Sequence, residues 1–402
     1  MKPREIRELI QLRPPALDQV ERRLAAARTV EDLHRFARRS LPRSVLDYVD
    51  GGADDELSLT GNVDAFRQWR FSPRSLVDVS APSLEGSVLG ERVALPLGLS
   101  PTGYTRMISP LGEPAVARAA AAAGIPYVLS TMATTSLEEL ARQAPDLDRW
   151  FQLYVWKDRE MALKLVERAA AADYRVLEIA VDTAVSGYRV RDVRNGFTIP
   201  PSLTLGGLVD IGLRPRYWTG MLRSPSLEFA NLTDAMSGGG YTIANITSQF
   251  DPAVSWDDIA RIREVWPGKL LLKGPVSATD AVRAASLGVD GVHLSNHGGR
   301  QLDRTVAPID LVAPVRAALG PDATVLVDSG VRHGADIAVA LALGADACFV
   351  GRPYLWGLAA AGQPGVSKVI QLLADQLKRT MQLNGVTTIE ALKSAEDLLI
   401  RR

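Results

Sequence analysis

Eight short, β-rich apolar runs between residues 95 and 353 constrain the fold of this chain more than any other feature. They read LPLGLSP (95–101), YVLST (127–131), RWFQLYV (149–155), VLEIAVDT (176–183), KLLLKG (269–274), GVHLSNHG (291–298), TVLVDSG (324–330) and ACFVGRP (347–353). Continuous apolar runs of this kind suit parallel strands covered on the outside by helices. Helical patterns fall between them: GEPAVARAAAAAG, MALKLVERAAAA, ATDAVRAASLG and GADIAVALALG, each Ala-rich and several closed by glycine. Eight such units predict an α/β fold, a TIM (β/α)8 barrel, with a doubly wound open sheet as the other arrangement. Every run ends in polar or glycine residues, and a barrel builds its active site at those strand ends.

The rest of the chain divides around this pattern. Residues 1–93 predict a helical extension packed on the barrel. TVEDLHRFARRS opens as a capping box on Thr29 and Asp32, and LPRSVLDYVDGG has proline near its start and glycines at its end. Residues 94–385 form the barrel and residues 386–402 a C-terminal tail. About 85 residues separate the fourth run from the fifth. Part of that gap is a helix capped by Ser255 and Asp258. The insert at about 195–250 mixes Tyr217, Trp218, Leu and Met with Arg214, Arg216 and Arg223. That composition suits a docking segment, a lid or an oligomer contact.

Composition closes off other classes. Lys+Arg and Asp+Glu are equal at 46 each, so no basic excess points to nucleic acid. A single cysteine, Cys348, permits neither an internal disulfide nor a cysteine metal cluster. His293 and His297 lie four apart on a strand rather than a helix, with no accompanying carboxylate motif, so no metal site is expected. The charged N-terminus lacks the apolar core of a signal peptide, and no apolar stretch reaches membrane-spanning length. A cytoplasmic location is the expectation.

The strand ends carry the chemistry. SNHGGRQLD (295–303) follows the sixth run and holds His297, Gly298, Gly299, Arg300 and Asp303. A histidine suits a general base, and an arginine fork suits a carboxylate. The two glycines remove side-chain bulk, so that a planar ligand can approach. Asp182, ending the fourth run, is able to orient the imidazole, and Arg189 offers a second anion ligand or a surface ion pair. Lys273 ends the fifth run and suits either a negative charge on a cofactor or a Schiff base. Asp328, Ser329, Gly330, Arg332, Gly351 and Arg352 follow the last two runs, where barrels bind phosphate.

These motifs, from LPRSVLDYVDGGADDE to about residue 385, resemble the FMN-dependent L-2-hydroxy acid dehydrogenases and oxidases. The resemblance implies roles for particular residues. His297 is the base and Asp182 its partner, and Arg189 and Arg300 hold the substrate carboxylate with Tyr48 and Tyr154 as hydroxyl donors. Lys273 stabilises reduced flavin. Pro101, Thr102, Gly103, Ser130, Gln152 and Ser295 contact the cofactor, and Asp328, Gly330, Arg332, Gly351 and Arg352 take its ribityl phosphate. Ala180 departs from the family's usual threonine, removing a hydrogen bond to flavin of about 1 kcal/mol. Gly103, where oxidases tend to carry alanine, favours a dehydrogenase. FRQWRFSPRSLVDVS, VSGYRVRDVRNGF and the insert with RPRYW look most like the mandelate and bacterial lactate enzymes. They imply (S)-mandelate or lactate as substrate, a membrane quinone as acceptor, peripheral attachment to the inner face of the cell membrane, and a homotetramer. Tyr104, Met132 and Val185 are expected to set substrate size.

Overall fold

The computed structural model describes residues 18–196, 205–225, 227–232, 249–395 and 397–402. Twelve strands are present among them. β1 (Trp69–Phe71), β2 (Gly86–Val88) and β3 (Glu91–Val93) precede the eight strands β4 (Leu97–Leu99), β5 (Tyr127–Ser130), β6 (Arg149–Tyr154), β7 (Val176–Ala180), β8 (Lys269–Gly274), β9 (Gly291–Leu294), β10 (Thr324–Val327) and β11 (Ala347–Val350), and β12 (Leu399–Arg401) follows. β4 to β11 are the eight predicted runs. They close in sequential order into one parallel barrel, the TIM fold, and not into an open sheet. Except for β8, which spans its whole run, each strand is shorter than its run because the polar ends leave the ladder and become loops.

Strand parity separates two cores. Val128, Trp150, Val176, Leu271, Leu326 and Phe349 point inward and form one buried cluster with Val88, Leu89 and Val93. The hairpin β2–β3 therefore packs against the floor of the barrel. The alternate residues Leu129, Phe151, Leu177, Leu272, Val327 and Val350 join the larger core beneath the helices. Each large side chain so buried contributes roughly 1.5–3 kcal/mol. Further along the inward face the character changes to Ser130, Gln152, Glu178, Lys273, His293 and Asp328, all buried. A dry floor thus lies under a polar mouth.

The helices that cover the barrel include Gly112–Ala122, Arg159–Ala171, Ala278–Ser286 and Gly334–Ala342, as their sequences predict. In the N-terminal region the helix Val30–Ser40 has the Thr29/Asp32 capping box and buries Val30, Leu33 and Ala37 along one face. His34 is structural: its ring stacks on Trp356 at 4.2 Å and its Nε2 lies 2.7 Å from Asp50. The helix Leu57–Arg67 then leads into β1, which pairs antiparallel with β12. The C-terminal end is thereby a strand laced to the extension.

Two short helices, Leu205–Gly212 and Pro215–Leu222, belong to the insert, and the Ser255/Asp258 capping box opens the helix Trp256–Val265. The stretch SGGGYTIAN and the N-terminal MKPREIRELIQLRPP lie outside the described residues. Among the described residues no helix is long and apolar enough to cross a membrane.

Candidate active site

At the C-terminal mouth of the barrel the strand-end loops enclose a cavity of about 450 Å³. Its wall brings together Tyr48, Tyr154, Arg189, Lys273, His297 and Arg300 with Pro101, Thr102, Gly103, Ser130 and Gln152, and also Asp328, Gly330, Arg332, Gly351 and Arg352. Asp182 stands just behind the wall. Ser295 does not reach it: this buried hydroxyl accepts the His297 amide at 3.1 Å and shapes the loop instead.

The histidine loop is bent to a purpose. His297, Gly298 and Gly299 all adopt left-handed backbone, with φ of 59°, 67° and 75°. A non-glycine residue there is uncommon and strained. The loop is held from several sides. Ser329 Oγ accepts the Gly298 amide at 3.0 Å, and Asn296 Oδ1 accepts the Gly299 amide at 3.0 Å. Asn296 and Asn62 exchange two side-chain hydrogen bonds of 2.7 and 2.8 Å. The expectation that the glycines open room for a ligand is corrected here. A Cβ on Gly299 would lie 2.6 Å from the Leu59 amide nitrogen, and one on Gly298 would lie 2.6 Å from Arg352 Nη1. Their space is filled by protein, so backbone conformation and packing demand glycine. Asp303 is likewise not chemical. It accepts the amides of Asp55, Leu57 and Ser58 at the start of the helix Leu57–Arg67.

His297 faces two ways. Its Nδ1 lies 3.3 Å from Asp182 Oδ2, and its Nε2 lies 3.4 Å from the Tyr154 hydroxyl on the cavity side. Burial pushes the Tyr154 phenol up, with the Asp182 charge adding to it, so it stays protonated and able to donate. Arg300 donates to the Tyr48 and Gly51 carbonyls at 2.6 and 3.0 Å and stacks over the Tyr48 ring at 4.9 Å. Arg189 lines the cavity and pairs at 2.8 Å with Asp192, which lines it too, so the ion pair lies in the cavity wall and not on the outer surface. Burial is the main influence lowering Arg300, and repulsion from Arg189 adds to it. Two guanidiniums that repel each other beside an imidazole make a receptor for an anion.

Two further arginines add to the cationic wall, and Arg352 shares the Gly51 carbonyl with Arg300. Burial lowers Arg332 to about 10, and burial with repulsion from Arg300 and Arg332 lowers Arg352 to about 9. Arg352 is fixed by donating to the carbonyls of Val49, Gly51 and Gly298, each at 2.8 Å. It stands at the start of the helix Arg352–Ala361, a terminus suited to phosphate. Elsewhere on the wall, Gln152 accepts from Ser130 Oγ at 3.0 Å, while its buried Nε2 has no hydrogen-bond partner among the described residues. A buried donor is costly to leave unmade, so this one suits a polar ligand edge. Lys273 Nζ donates to Asp328 Oδ2 at 2.6 Å.

Of the size-setting residues, Tyr104 and Met132 line the cavity, but Val185 does not. It is 66% exposed, and its carbonyl accepts from Gln301, which also holds the Asp182 carbonyl. Sequence reading passed over Gln301, the Asn62–Asn296 pair and Glu178. Glu178 carried a usable signal: a lone carboxylate inside an apolar run, in step with Ala180 and Asp182. The amide pair carried none, because its partners are far apart in sequence.

A family model described as FMN-dependent dehydrogenase matches residues 37–399. A Mycobacterium tuberculosis protein whose name, L-lactate dehydrogenase, is provisional is 46% identical over 99% of this chain and 96% of its own length. The (S)-mandelate dehydrogenase of Pseudomonas putida is 45% identical over 90% of this chain and 92% of its own. A crystal structure of the monotopic membrane protein (S)-mandelate dehydrogenase superposes with a TM-score of 0.89 at 43% identity, covering 94% of this chain and all of that one. Agreement across nearly the whole chain, on a barrel with this cavity, leaves one conclusion: the chain belongs to the FMN-dependent dehydrogenase family, and is a 2-hydroxy acid oxidoreductase whose cofactor is FMN.

Proposed function

We propose that the enzyme oxidises an L-2-hydroxy acid, (S)-mandelate or an aryl or alkyl relative, to the 2-oxo acid, and passes the electrons to a membrane quinone or another acceptor that is not oxygen. The observation that carries this reading is the His297 imidazole, backed by Asp182 and facing a cavity that Arg189 and Arg300 also line. L-Lactate is the second candidate substrate, favoured by the M. tuberculosis relative.

FMN fits the cavity on two counts. The orphaned Gln152 amide and the Lys273 ammonium offer donors to a flavin edge, and Arg332 and Arg352 offer a cationic end to its phosphate. When bound, FMN supplies the two-electron acceptor. The protein's own groups do the rest. Arg189 and Arg300 hold the substrate carboxylate, which turns an encounter into a fixed alignment. Tyr48 and Tyr154 donate hydroxyl hydrogen bonds to the substrate. His297 takes a proton at Nε2, and Asp182 steadies the resulting imidazolium through Nδ1. Tyr104 and Met132 wall the substrate end and exclude water.

The insert supports membrane attachment. Val209, Leu213, Trp218 and Leu222 are exposed, with Arg216 and Arg223 beside them, a mixture suited to an interfacial surface carrying anionic lipid. Tyr217 and Arg214 do not belong to that surface, since they bond back to the Met107 and Arg39 carbonyls. A homotetramer is part of the same proposal.

Anaerobic bleaching of the flavin by a panel of hydroxy acids tests the substrate, and repeating it in air tests the acceptor. Fast bleaching by (S)-mandelate with slow reoxidation in air is expected. Bleaching by none of the L-2-hydroxy acids refutes the reading. Replacing residues 200–245 with a short linker should release a yellow enzyme from membranes, and an intact protein that never sediments with anionic vesicles removes the attachment.

A further inference from the structure

Below the cavity wall, Glu178 of β7 and His293 of β9 are completely buried, and the chemistry above uses neither. The imidazole Nδ1 lies 2.8 Å from Glu178 Oε1, and Nε2 lies 3.3 Å from Asp328 Oδ2. The same Asp328 oxygen accepts from Lys273 at 2.6 Å. Four ionisable groups therefore form a line from the barrel interior to the cavity: Glu178, His293, Asp328, Lys273. Register and parity produce it, with Lys273 opposite His293 and His293 opposite Leu326, two residues before Asp328. Phe349 covers the imidazole, with ring centroids 4.8 Å apart.

Geometry assigns the charges. A neutral imidazole has one N–H and one lone pair. With a carboxylate oxygen at each nitrogen, a neutral ring would turn its lone pair on one of them, whereas an imidazolium offers a proton to both. The Asp328 contact is at ion-pair distance but is not aligned as a hydrogen bond, and Glu178 Oε2 has no partner among the described residues. Charge interaction is thus the larger part of the arrangement. With His293 protonated the signs alternate and sum to zero. With it neutral, the line holds one uncompensated negative charge in a dry interior, which is costly. Burial, the largest influence, lowers His293, but Glu178 and Asp328 outweigh it against the opposing Lys273 charge, and the group stands above its ordinary value. A buried pair of this kind adds little net stability compared with two apolar side chains. Its electrostatic effect on the cavity is the more informative role.

We propose that Glu178 and His293 are positioning residues for the redox reaction: His293, kept as an imidazolium by Glu178, offsets the Asp328 carboxylate and so leaves Lys273 able to direct its positive charge into the flavin cavity. The inference rests on the reading that Lys273 faces the flavin. A neutral residue at 293 would let Asp328 cancel more of the Lys273 charge, so negative charge on the flavin would be less well stabilised.

The test is a charge cycle on the FMN-loaded enzyme. It reads sulfite affinity from flavin absorbance, since sulfite binding puts negative charge on the flavin, and it reads the flavin reduction potential. His293→Gln should weaken sulfite binding about tenfold and lower the two-electron potential by about 30 mV, the equivalent of that factor. The double variant Glu178→Gln/His293→Gln should match His293→Gln to within about threefold, because Glu178 acts only through the imidazolium, and Glu178→Gln alone should fall between wild type and His293→Gln. A double variant weakened a further tenfold or more, or a Glu178→Gln enzyme that binds sulfite as wild type does, overturns the proposal. Lys273→Met separates the two levels of the argument. If it loses sulfite binding while His293→Gln does not, the pair fails and the site reading stands; if it loses none, both fail. Should His293→Gln not fold, ¹⁵N-histidine spectra of the wild-type holoenzyme, with four histidines to assign, still decide. A buried ring protonated at both nitrogens near pH 7 supports the proposal, and a neutral one overturns it.

Discussion

Asn62→Ala should loosen the catalytic loop from a position on the N-terminal extension. Asn62 and Asn296 are both buried and exchange hydrogen bonds of 2.8 and 2.7 Å. Two such bonds contribute about 2 kcal/mol net, and the stranded Asn296 donor adds roughly 1 kcal/mol, since its remaining contact, the Val306 carbonyl, is long at 3.4 Å. Alanine returns about 0.5 kcal/mol of helix propensity within Leu57–Arg67. The net loss is about 2–3 kcal/mol, a large fraction of a typical stability of about 5–15 kcal/mol without unfolding the protein. Asn296 also holds the Gly299 amide, so His297 and Arg300 move with it, and a shift of about 1 Å costs on the order of 10²-fold in rate. Urea unfolding at saturating FMN measures the first quantity and anaerobic single-turnover bleaching the second. A cycle with Asn296→Ala cancels the propensity change and should give a coupling of about 1–3 kcal/mol. Additivity within about 0.3 kcal/mol, or wild-type bleaching in Asn62→Ala, refutes the reasoning.

Other substitutions probe the remaining parts. His297→Ala should slow substrate bleaching by roughly 10²–10⁴-fold while the protein stays yellow, as rapid-mixing absorbance will show. Arg300→Lys keeps the charge but loses the planar fork suited to a carboxylate, along with the Nη1 that donates to both the Tyr48 and Gly51 carbonyls, and kcat/KM should fall about 10–100-fold. Gly299→Ala combines left-handed strain with a Cβ 2.6 Å from the Leu59 backbone, for a loss of roughly 2–4 kcal/mol seen in the urea midpoint. Asp303→Ala removes a helix cap at a cost of about 1–2 kcal/mol. Burial raises Asp303, but the amides of Ser58, Arg304, Leu57 and Asp55 outweigh it and hold the carboxyl below its ordinary value. Its stabilisation is therefore present above the unfolded value of about 3.9 and fades as pH falls through the folded one, so the Tm gap between wild type and Asp303→Ala should close below about pH 4.

The barrel was legible because its signal is local. Each run declares an apolar strand, each polar end declares a loop, and closure follows from counting the units. His297, Arg300, Asp182 and Lys273 were legible for the same reason, lying within a few residues of a strand end. The reasons for the glycines were not. Gly299 meets Leu59, and Gly330 would meet the Asn62 carbonyl at 2.2 Å, contacts between segments remote in sequence. Val185 shows the opposite error. Its place three residues after Asp182 suggested the pocket, but Gln301 draws its carbonyl outward and leaves the side chain in solvent. The spacing of His293 from His297 on a strand argues against a metal site and says nothing of Glu178, because that pairing exists only when β7 and β9 stand in one barrel.

The lacing of β1 to β12 also fixes an order of events during synthesis. The segment that grips the histidine loop emerges early, yet its partners lie 234 to 248 residues later, and the adjoining strand β1 waits for residues 399–401. Contacts of such separation form slowly, because a long chain must close before they are rewarded. The extension therefore cannot make these contacts until β9 and the loop after it have been synthesised, and β1 finds its partner only after the eighth barrel strand. Removing residues 399–401 would leave all eight barrel strands in place and still take away the partner of β1, so activity lost by that change would report on the extension and not on the barrel.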